Sequence, residues 1–534
     1  MSNVGSGIQK VKKSEAVRRG KRGIFHIIFG RMGIVIVLLA VQVYFLYSLF
    51  SWVREAVFYG YWAHTILTMV MSFVIINSKQ RPEIKTAWLL PVILVPVFGA
   101  LFFLFVQAQP GRIAIKAAYR GQIEKTAVLL RQQEHVMRAL RKEDPQMAGL
   151  AHYVSEYGHF PVYQNSTAVF YPSGEAQFDE MKRELWAARH FIFLEYFIIQ
   201  DGIFWGTILD ILKSKVLQGV EVRVMYDGTC MLNLLPYHYP RELEKCGIHC
   251  HVFAPIRPAL STHQNNRDHR KILVIDGHTA FTGGINLADE YINKTKRFGY
   301  WKDTACMVRG EAVQSFTMMF LHMWNLSRGR QEAEDRDYAR YAQVPLEMIR
   351  PYPGFVLPYG DGPAQTELTA ENIYIYMLQS AERYVHMMTP YLVIDNEVKQ
   401  AMIFAAKRGI DVKMILPHIP DKKAVFALTR SYYRELTEAG VGIYEFTPGF
   451  VHAKEFVSDD TKAVVGSINL DYRSLYLHYE CGCLFYQMPV VADIEQDFEQ
   501  TLRKCERVTP AWLSRQNKGE KLIGSVMKLI APLL

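Results

Sequence analysis

Hydrophobic positions follow two regimes along this chain. Between residues 32 and 106 they form three nearly unbroken runs, Met32–Phe50, about Val57–Ile76 and about Ala87–Val106. Each is about 20 residues long, enough for a helix to cross a hydrocarbon core of ~30 Å. The first run has no charge, the second has His64 as its one ionisable residue, and the third contains Trp88, Pro91, Pro96 and Gly99. A signal peptide has a shorter apolar core and a small-residue cleavage site, so the pattern predicts a retained transmembrane anchor of about three spans over 32–106. A polar helical stretch to about Lys142 predicts a linker helix within 107–150. From residue 151 the apolar residues fall instead into short strand-like runs separated by helical segments.

Those short runs occur twice. Arg189–Asp201 (RHFIFLEYFIIQD) resembles Arg383–Asp395 (RYVHMMTPYLVID). Each is followed by a helical segment and a second strand, Val220–Tyr226 or Ile410–Leu416. Arg241-Glu242-Leu243 with Gly247 then matches Arg434-Glu435-Leu436 with Gly440. Strands alternating with helices predict an α/β fold with a mostly parallel sheet. The duplication predicts two tandem α/β/α sandwich domains, 151–345 and 346–534, related by a pseudo-twofold and sharing a cleft at their interface.

Charge sharpens the anchor. The chain carries a net +9, yet residues 1–31 hold eight Lys/Arg against Glu15 alone, a net +7. The remainder is therefore near neutral, which argues against a nucleic-acid partner. A basic tail beside an apolar run reads as a topology signal or an anionic-lipid contact. Arg112, Lys116, Arg120 and Lys125 beyond the third run oppose the tail's bias, so the membrane face stays open. The seven cysteines have no zinc spacing, and Cys481-Gly-Cys483 reads as a strand with both thiols on one face.

Both halves carry H-x-K-x-x-x-x-D. In the first it is His269-Arg270-Lys271 through Asp276, and in the second His452-Ala453-Lys454 through Asp459. Residues i and i+2 share a strand face, so each histidine lies beside its lysine, with the aspartate at the turn beyond. Each motif precedes a Gly/Ser–Asn block: Gly283-Gly284-Ile285-Asn286, and Gly466-Ser467-Ile468-Asn469. Two imidazoles can divide phosphodiester chemistry, one attacking phosphorus and one protonating the leaving alkoxide. Two ammonium groups and the amides of Asn286 and Asn469 can neutralise the non-bridging oxygens. Gly284 permits close approach and Ser467 adds a hydroxyl. No metal or cofactor is required. Glu480 and Glu195 sit in apolar strands, where a carboxylate must be paired. Each reads either as an orienter of a histidine or as a structural partner of arginines such as Arg473.

The paired motifs resemble the HKD signatures of the phospholipase D superfamily, from about Tyr153 to the C-terminus. Phe281–Tyr291 (FTGGINLADEY), Tyr300–Thr304 (YWKDT), Thr389-Pro390-Tyr391, Val465–Ser474 (VGSINLDYRS) and Lys85–Phe105 resemble bacterial cardiolipin synthases. That resemblance implies transfer of a phosphatidyl group between two phosphatidylglycerol molecules, release of glycerol, a phosphohistidine intermediate and no metal. It favours His269 as nucleophile and leaves His452 as general acid. It also implies a multi-pass protein of the cell membrane. Ser467 departs from a frequent threonine but keeps the hydroxyl. The alternatives are a phospholipase D-type hydrolase or nuclease, a transferase using another alcohol, and a non-catalytic membrane scaffold. Two intact motifs argue against the last. Oligomeric state is not legible.

Near the C-terminus, Leu522, Ile523, Val526, Met527, Leu529 and Ile530 recur near helical spacing among Lys518, Lys521 and Lys528. This segment either lies on a membrane or docks on the domain. Because each motif places an ammonium among its would-be ligands, turnover should survive strong chelators. Loss of activity with EDTA, restored by one specific metal, would refute the two-histidine reading.

Overall fold

The computed structural model describes residues 31–51, 54–107, 110–256, 265–327, 338–345 and 352–533. The basic tail, apart from Arg31, lies outside them. The chain divides into two compact units, one made of residues 1–113, 256–264 and 533, the other of 114–255, 265–532 and 534.

In the first unit the first two apolar runs form helices α1 (Arg31–Ser51) and α2 (Arg54–Ile76). The third run is not one span. It breaks into α3 (Pro82–Leu94) and α4 (Pro96–Gln107), of 13 and 12 residues. At 1.5 Å per residue each is about 20 Å long or less, short of a hydrocarbon core. The break has a local cause. Pro96 has no N–H to continue the ladder, and Val95 leaves helical geometry at φ −138°, ψ 67°. Gly99 then lets the helices touch, since a Cβ there would lie 2.3 Å from the Pro91 carbonyl oxygen. Met71, Ile75, Trp88, Val92, Ala100 and Phe103 form this unit's core. Among the described residues no helix is long and apolar enough to cross a membrane.

The second unit opens with three helices, Pro110–Thr126 (which enters it at Ala114), Glu134–Glu143 and Pro145–Glu156, where a single linker helix was expected. The first ends where Leu129 and Leu130 both donate to the Thr126 carbonyl, and Asp144 caps the third through the Gln146 and Met147 amides. Tyr119, Val136, Leu140, Met147 and Val154 are buried in the main hydrophobic core, so these helices build the unit.

The duplication is obeyed strand for strand. The first sheet contains β1 (Ser166–Tyr171), β2 (Phe191–Tyr196), β3 (Glu221–Asp227), β4 (His249–Phe253), β5 (Lys271–Ile275), β6 (Thr279–Gly283) and β8 (Ala305–Gly310), in the order β1-β8-β6-β5-β2-β3-β4. The second contains β9 (Phe355–Asp361), β10 (Tyr384–Met388), β12 (Asp411–Pro417), β13 (Gly442–Phe446), β15 (Glu455–Ser458), β16 (Lys462–Gly466), β18 (Glu480–Tyr486) and β19 (Cys505–Arg507). Read from β9, its order β9-β18-β16-β15-β10-β12-β13 repeats the first, with β19 added at the edge. Short strands complete the list: β7 (Tyr300–Lys302) pairs with β14 (Gly449–Val451), and β11 (Leu392–Val393) with β17 (Leu470–Asp471).

The sheets are mixed, not mostly parallel. Within the two large sheets, β2-β3-β4 and β10-β12-β13 are the parallel sets, joined by the crossover helices Ile203–Leu217 and Asn396–Lys407 after the first strand of each. The motif strands β5 and β15 are antiparallel to their neighbours. The signal for this lay in the turns. Asp276-Gly277 and Asp459-Asp460 all have positive φ, between 52° and 69°, and close two-stranded hairpins β5–β6 and β15–β16. An Asp-Gly between apolar runs is the mark of such a turn.

Those turns relocate both aspartates. Asp276 accepts from the backbone N–H groups of Arg189, His190 and Phe191, and Asp459 from those of Glu382, Arg383 and Tyr384. At about 3.3 Å per residue the seven residues from histidine to aspartate span roughly 20 Å. Asp276 and Asp459 therefore anchor the strand starts at the far end of each sheet and do not join the histidines. Partial burial pushes the Asp459 carboxyl up, but three N–H donors outweigh it and hold it below its ordinary range. The stability it contributes is present above the unfolded carboxylate range and lost as pH falls through the depressed folded value. Asp276→Ala or Asp459→Ala should cost about 2 kcal/mol, read as a melting temperature several degrees lower, with turnover per folded molecule retained. Loss of turnover at an unchanged melting temperature would restore a catalytic role.

Candidate active site

The two halves hold each other's histidines. Arg267–His269, just before β5, runs parallel to the segment entering β18. The Tyr479 N–H donates to the Arg267 carbonyl at 2.8 Å, and the His269 N–H to the Tyr479 carbonyl at 2.9 Å. One residue on, Glu480 Oε1 lies 2.8 Å from His269 Nδ1. The mirror arrangement occurs with roles exchanged. β14 pairs in parallel with β7, the His452 N–H donates to the Lys302 carbonyl at 2.6 Å, and Asp303 Oδ2 lies 2.7 Å from His452 Nδ1. A carboxylate at Nδ1 favours the tautomer that leaves Nε2 with its lone pair; at His452 the Lys454 ammonium lies 2.8 Å from the same Nδ1 and competes with Asp303 for it. Neither Nε2 has a hydrogen-bond partner among the described residues.

Each carboxylate is itself fixed. Ser467 Oγ donates to Glu480 Oε2 and accepts from the Cys481 N–H at 3.0 Å. The Thr304 N–H donates to Asp303 Oδ1 at 2.9 Å. Gly284, the counterpart of Ser467, makes room: a Cβ there would lie 2.0 Å from Asp303 Oδ1. A serine matched to a glutamate in one half is thus a glycine matched to an aspartate in the other. The two asparagines also differ. Asn286 is engaged by protein, accepting from the Ile198 N–H at 2.9 Å and donating to Tyr291 Oη at 2.8 Å. Asn469 has a buried Oδ1 with no partner among the described residues.

Lys271 and Lys454 lie beside their histidines, donating to the His269 and His452 carbonyls. Burial lowers the Lys271 ammonium to about 8 and that of Lys454 to about 7. Burial, followed by the Lys271 charge, holds His269 well below its ordinary value. Burial and Lys454 bring His452 down to about 4 against the opposing pull of Asp303. Burial likewise pushes Glu480 up, against Lys271. Desolvation therefore favours neutral imidazoles and disfavours the ammonium groups, and an anion held between them relieves both.

Glu195 does not reach a histidine. It is fully buried with Arg270, Oε1 to Nη1 3.9 Å, and burial followed by Asp268 raises its carboxyl. Arg270 alternates with His269 and Lys271, so it faces the other way. Its guanidinium donates to the Glu480 carbonyl at 3.1 Å, the Met319 carbonyl at 3.3 Å and Tyr119 Oη at 3.2 Å, clamping the halves behind the site. Nor does Arg473 pair with Glu480: its Nε lies 3.4 Å from His478 Nε2. His478 is a third buried imidazole, its ring 5.4 Å from that of His269 and its Nδ1 3.8 Å from Glu480 Oε1.

Sequence reading missed Asp303, Arg270 and His478. Asp303 stood within the YWKDT segment and enters β8 as Glu480 enters β18, but 17 residues separate it from Asn286 against 11 between Asn469 and Glu480, so repeat spacing did not reveal it. Among the described residues, His269, His478 and Glu480 form one group able to hold a metal ion, and His386, Glu495 and Glu499 another. In the first, the Nδ1–Glu480 contact and the adjoining Lys271 ammonium compete with a cation.

Two copies of one α/β unit, each lending an H-x-K segment to a shared histidine pair, define a phospholipase D-like protein. The family profile described as "Cardiolipin synthase, PLD-like domain" matches residues 181–324 and 374–502, and "Phospholipase_D-nuclease N-terminal" matches 66–107. The chain belongs to the cardiolipin synthase family of the phospholipase D superfamily. It is 34% identical over 470 residues to a cardiolipin synthase of Geobacillus thermodenitrificans, covering 87% of this chain and 91% of that one. It is 48% identical over 460 residues to an uncharacterized protein of Streptococcus mutans, covering 86% and 98%. The fold is similar to a crystal structure of phosphatidylserine synthase from Haemophilus influenzae, with a TM-score of 0.54 and 16% identity, covering 72% of this chain and 100% of that one.

Glu480→Gln and Asp303→Asn keep shape but remove the acceptor charge. Each should lower turnover about 10²–10⁴-fold with little change in melting temperature. Glu195→Gln, which mimics the protonated acid that burial favours, should leave turnover largely intact.

Proposed function

We propose that this chain is a cardiolipin synthase: it joins two phosphatidylglycerol molecules into cardiolipin and releases glycerol. The observation that carries the reading is the reciprocal orientation of His269 and His452, each with its Nε2 unpartnered among the described residues and a buried lysine alongside. The family relationship supports the same chemistry.

His269 Nε2 attacks phosphorus of the first lipid. The bond from phosphorus to the glycerol oxygen breaks, and His452 gives that oxygen a proton, so glycerol departs. The phosphatidyl group is now on His269. A hydroxyl of the second phosphatidylglycerol passes its proton to His452 as its oxygen attacks phosphorus, and the phosphorus–nitrogen bond breaks. Lys271, Lys454 and the Asn469 amide neutralise the non-bridging oxygens. Glu480 and Asp303 stabilise positive charge as it develops on each ring. Burial and Lys454 hold His452 low, and the lipid phosphate raises its proton affinity when it binds.

Substrates of this kind reside in a bilayer. The basic tail beside the apolar runs at 32–50 and 57–76 supports association of this chain with the cell membrane.

Purified full-length protein given phosphatidylglycerol alone should yield cardiolipin and glycerol by mass. Phosphatidic acid as the main product would make water the acceptor and the protein a hydrolase. With a p-nitrophenyl phosphodiester, whose leaving group needs little protonation, His452→Ala should give a burst and label covalently on His269, while His269→Ala gives neither. A label on His452 would reverse the roles, and none on either would exclude the covalent route.

A further inference from the structure

The C-terminal helix, Lys518–Ile530, is docked inside out. Apart from the exposed Lys518, its charged side chains are spent on the protein. Glu520 pairs with Arg430 at 3.1 Å, and Arg430 also holds the buried Glu445. Lys521 Nζ donates to the Leu513 carbonyl at 3.0 Å, and the Lys528 ammonium sits 4.0 Å over the buried Tyr432 ring. Gly524 is the point of closest approach to the helix Lys423–Arg430, where a Cβ would lie 2.4 Å from the Ala427 carbonyl oxygen. Leu522, Ile523, Val526, Leu529 and Ile530 all point outward, between 39 and 66% exposed. A surface helix of a water-soluble domain shows the opposite arrangement. Here the inward stripe of residues 520, 521, 524, 527, 528 and 531 brings only Met527 and Ala531 to the core as apolar contacts, and the outward side carries the five aliphatic residues with the exposed Ser525 among them.

We propose that this outward face is a bilayer-contact surface, lying along an anionic membrane with its five aliphatic side chains in the headgroup–acyl boundary. Its dimensions suit that occupant. Leu522 to Ile530 spans about 12 Å at 1.5 Å per residue, and the stripe is one side chain deep, matching insertion of about 5–10 Å. So short a stripe presents much less than the ~800 Å² per partner that a stable protein complex needs, which disfavours a second copy. The charges at its margin also fit: Arg515 and Lys518 are exposed at the start of the helix, while Arg430 neutralises its single acid, Glu520. Cations beside an apolar stripe complement anionic headgroups. The surface rests on exposure and pairing alone, so it stands whether or not those lipids are substrates.

The test reads depth, not turnover. Full-length protein in vesicles of phosphatidylglycerol and phosphatidylcholine would carry an environment-sensitive fluorophore on Val526→Cys, in a Cys246→Ser background that removes the exposed cysteine. Leu522→Cys serves as a second site and the exposed Ser514→Cys as a control; labels at 522 and 526 replace already exposed side chains, so folding is not at stake. The expected result is a blue-shifted label at 522 and 526, quenched severalfold more by nitroxide on the upper acyl chain than by aqueous iodide, with the reverse at 514. Free access of iodide to 522 and 526 would overturn the proposal. Protection from iodide without quenching by spin-labelled lipid would also overturn it, and would assign the face to a second copy of the chain.

Discussion

Everything in the second unit is arranged around an exchange. The carboxylate that orients His269 comes from the second half, and the one that orients His452 comes from the first. Neither pairing exists within a half. Glu480 and Asp303 are both fully buried, and stranding a buried charge costs about 3–5 kcal/mol. The main hydrophobic core likewise draws residues from both halves, so they share one interior as well as one site. The parallel backbone pairing of β7 with β14, and of Arg267–His269 with Tyr479, sets the register that brings each carboxylate to its ring.

The duplication is close in backbone and relaxed in side chains. Corresponding strands take the same order in both sheets, yet Gly284 with Asp303 replaces Ser467 with Glu480. The Asn286 carbonyl oxygen is tied down while that of Asn469 has no partner among the described residues, and His478 adds a third imidazole on the Glu480 side. Two near-equivalent histidines can then take unequal roles, because a nucleophile and a proton carrier need different surroundings. The shared feature is desolvation. It pushes both lysines down and both histidines down, which leaves the cleft poised for an anion to restore the charges.

Polar positions proved the least predictable from pattern. Asp276 and Asp459 complete the repeated motif, yet each ends a hairpin and ties down three amides at the far end of its sheet. Glu195 occupies an apolar strand as Glu480 does, yet it serves Arg270. The third apolar run has the composition of a span, but Pro96 and the Gly99–Pro91 contact fold it into two short helices.

Read alone, the chain determined a great deal: two α/β units in tandem, histidine and lysine side by side on each motif, an apolar N-terminal region, a near-neutral remainder and an amphipathic C-terminal helix. These follow from periodicity and repetition, which are local and leave their trace in neighbouring residues. Tertiary structure decided what depends on pairing between distant residues. It chose Asp303 and Glu480 as orienters across 149 and 211 residues, sent Asp276, Asp459 and Glu195 to structural work, and made the sheets mixed. It also turned the aliphatic face of the last helix outward. A carboxylate in a buried strand must find a partner, but one-dimensional pattern carries no information on which partner the fold will bring within 3 Å.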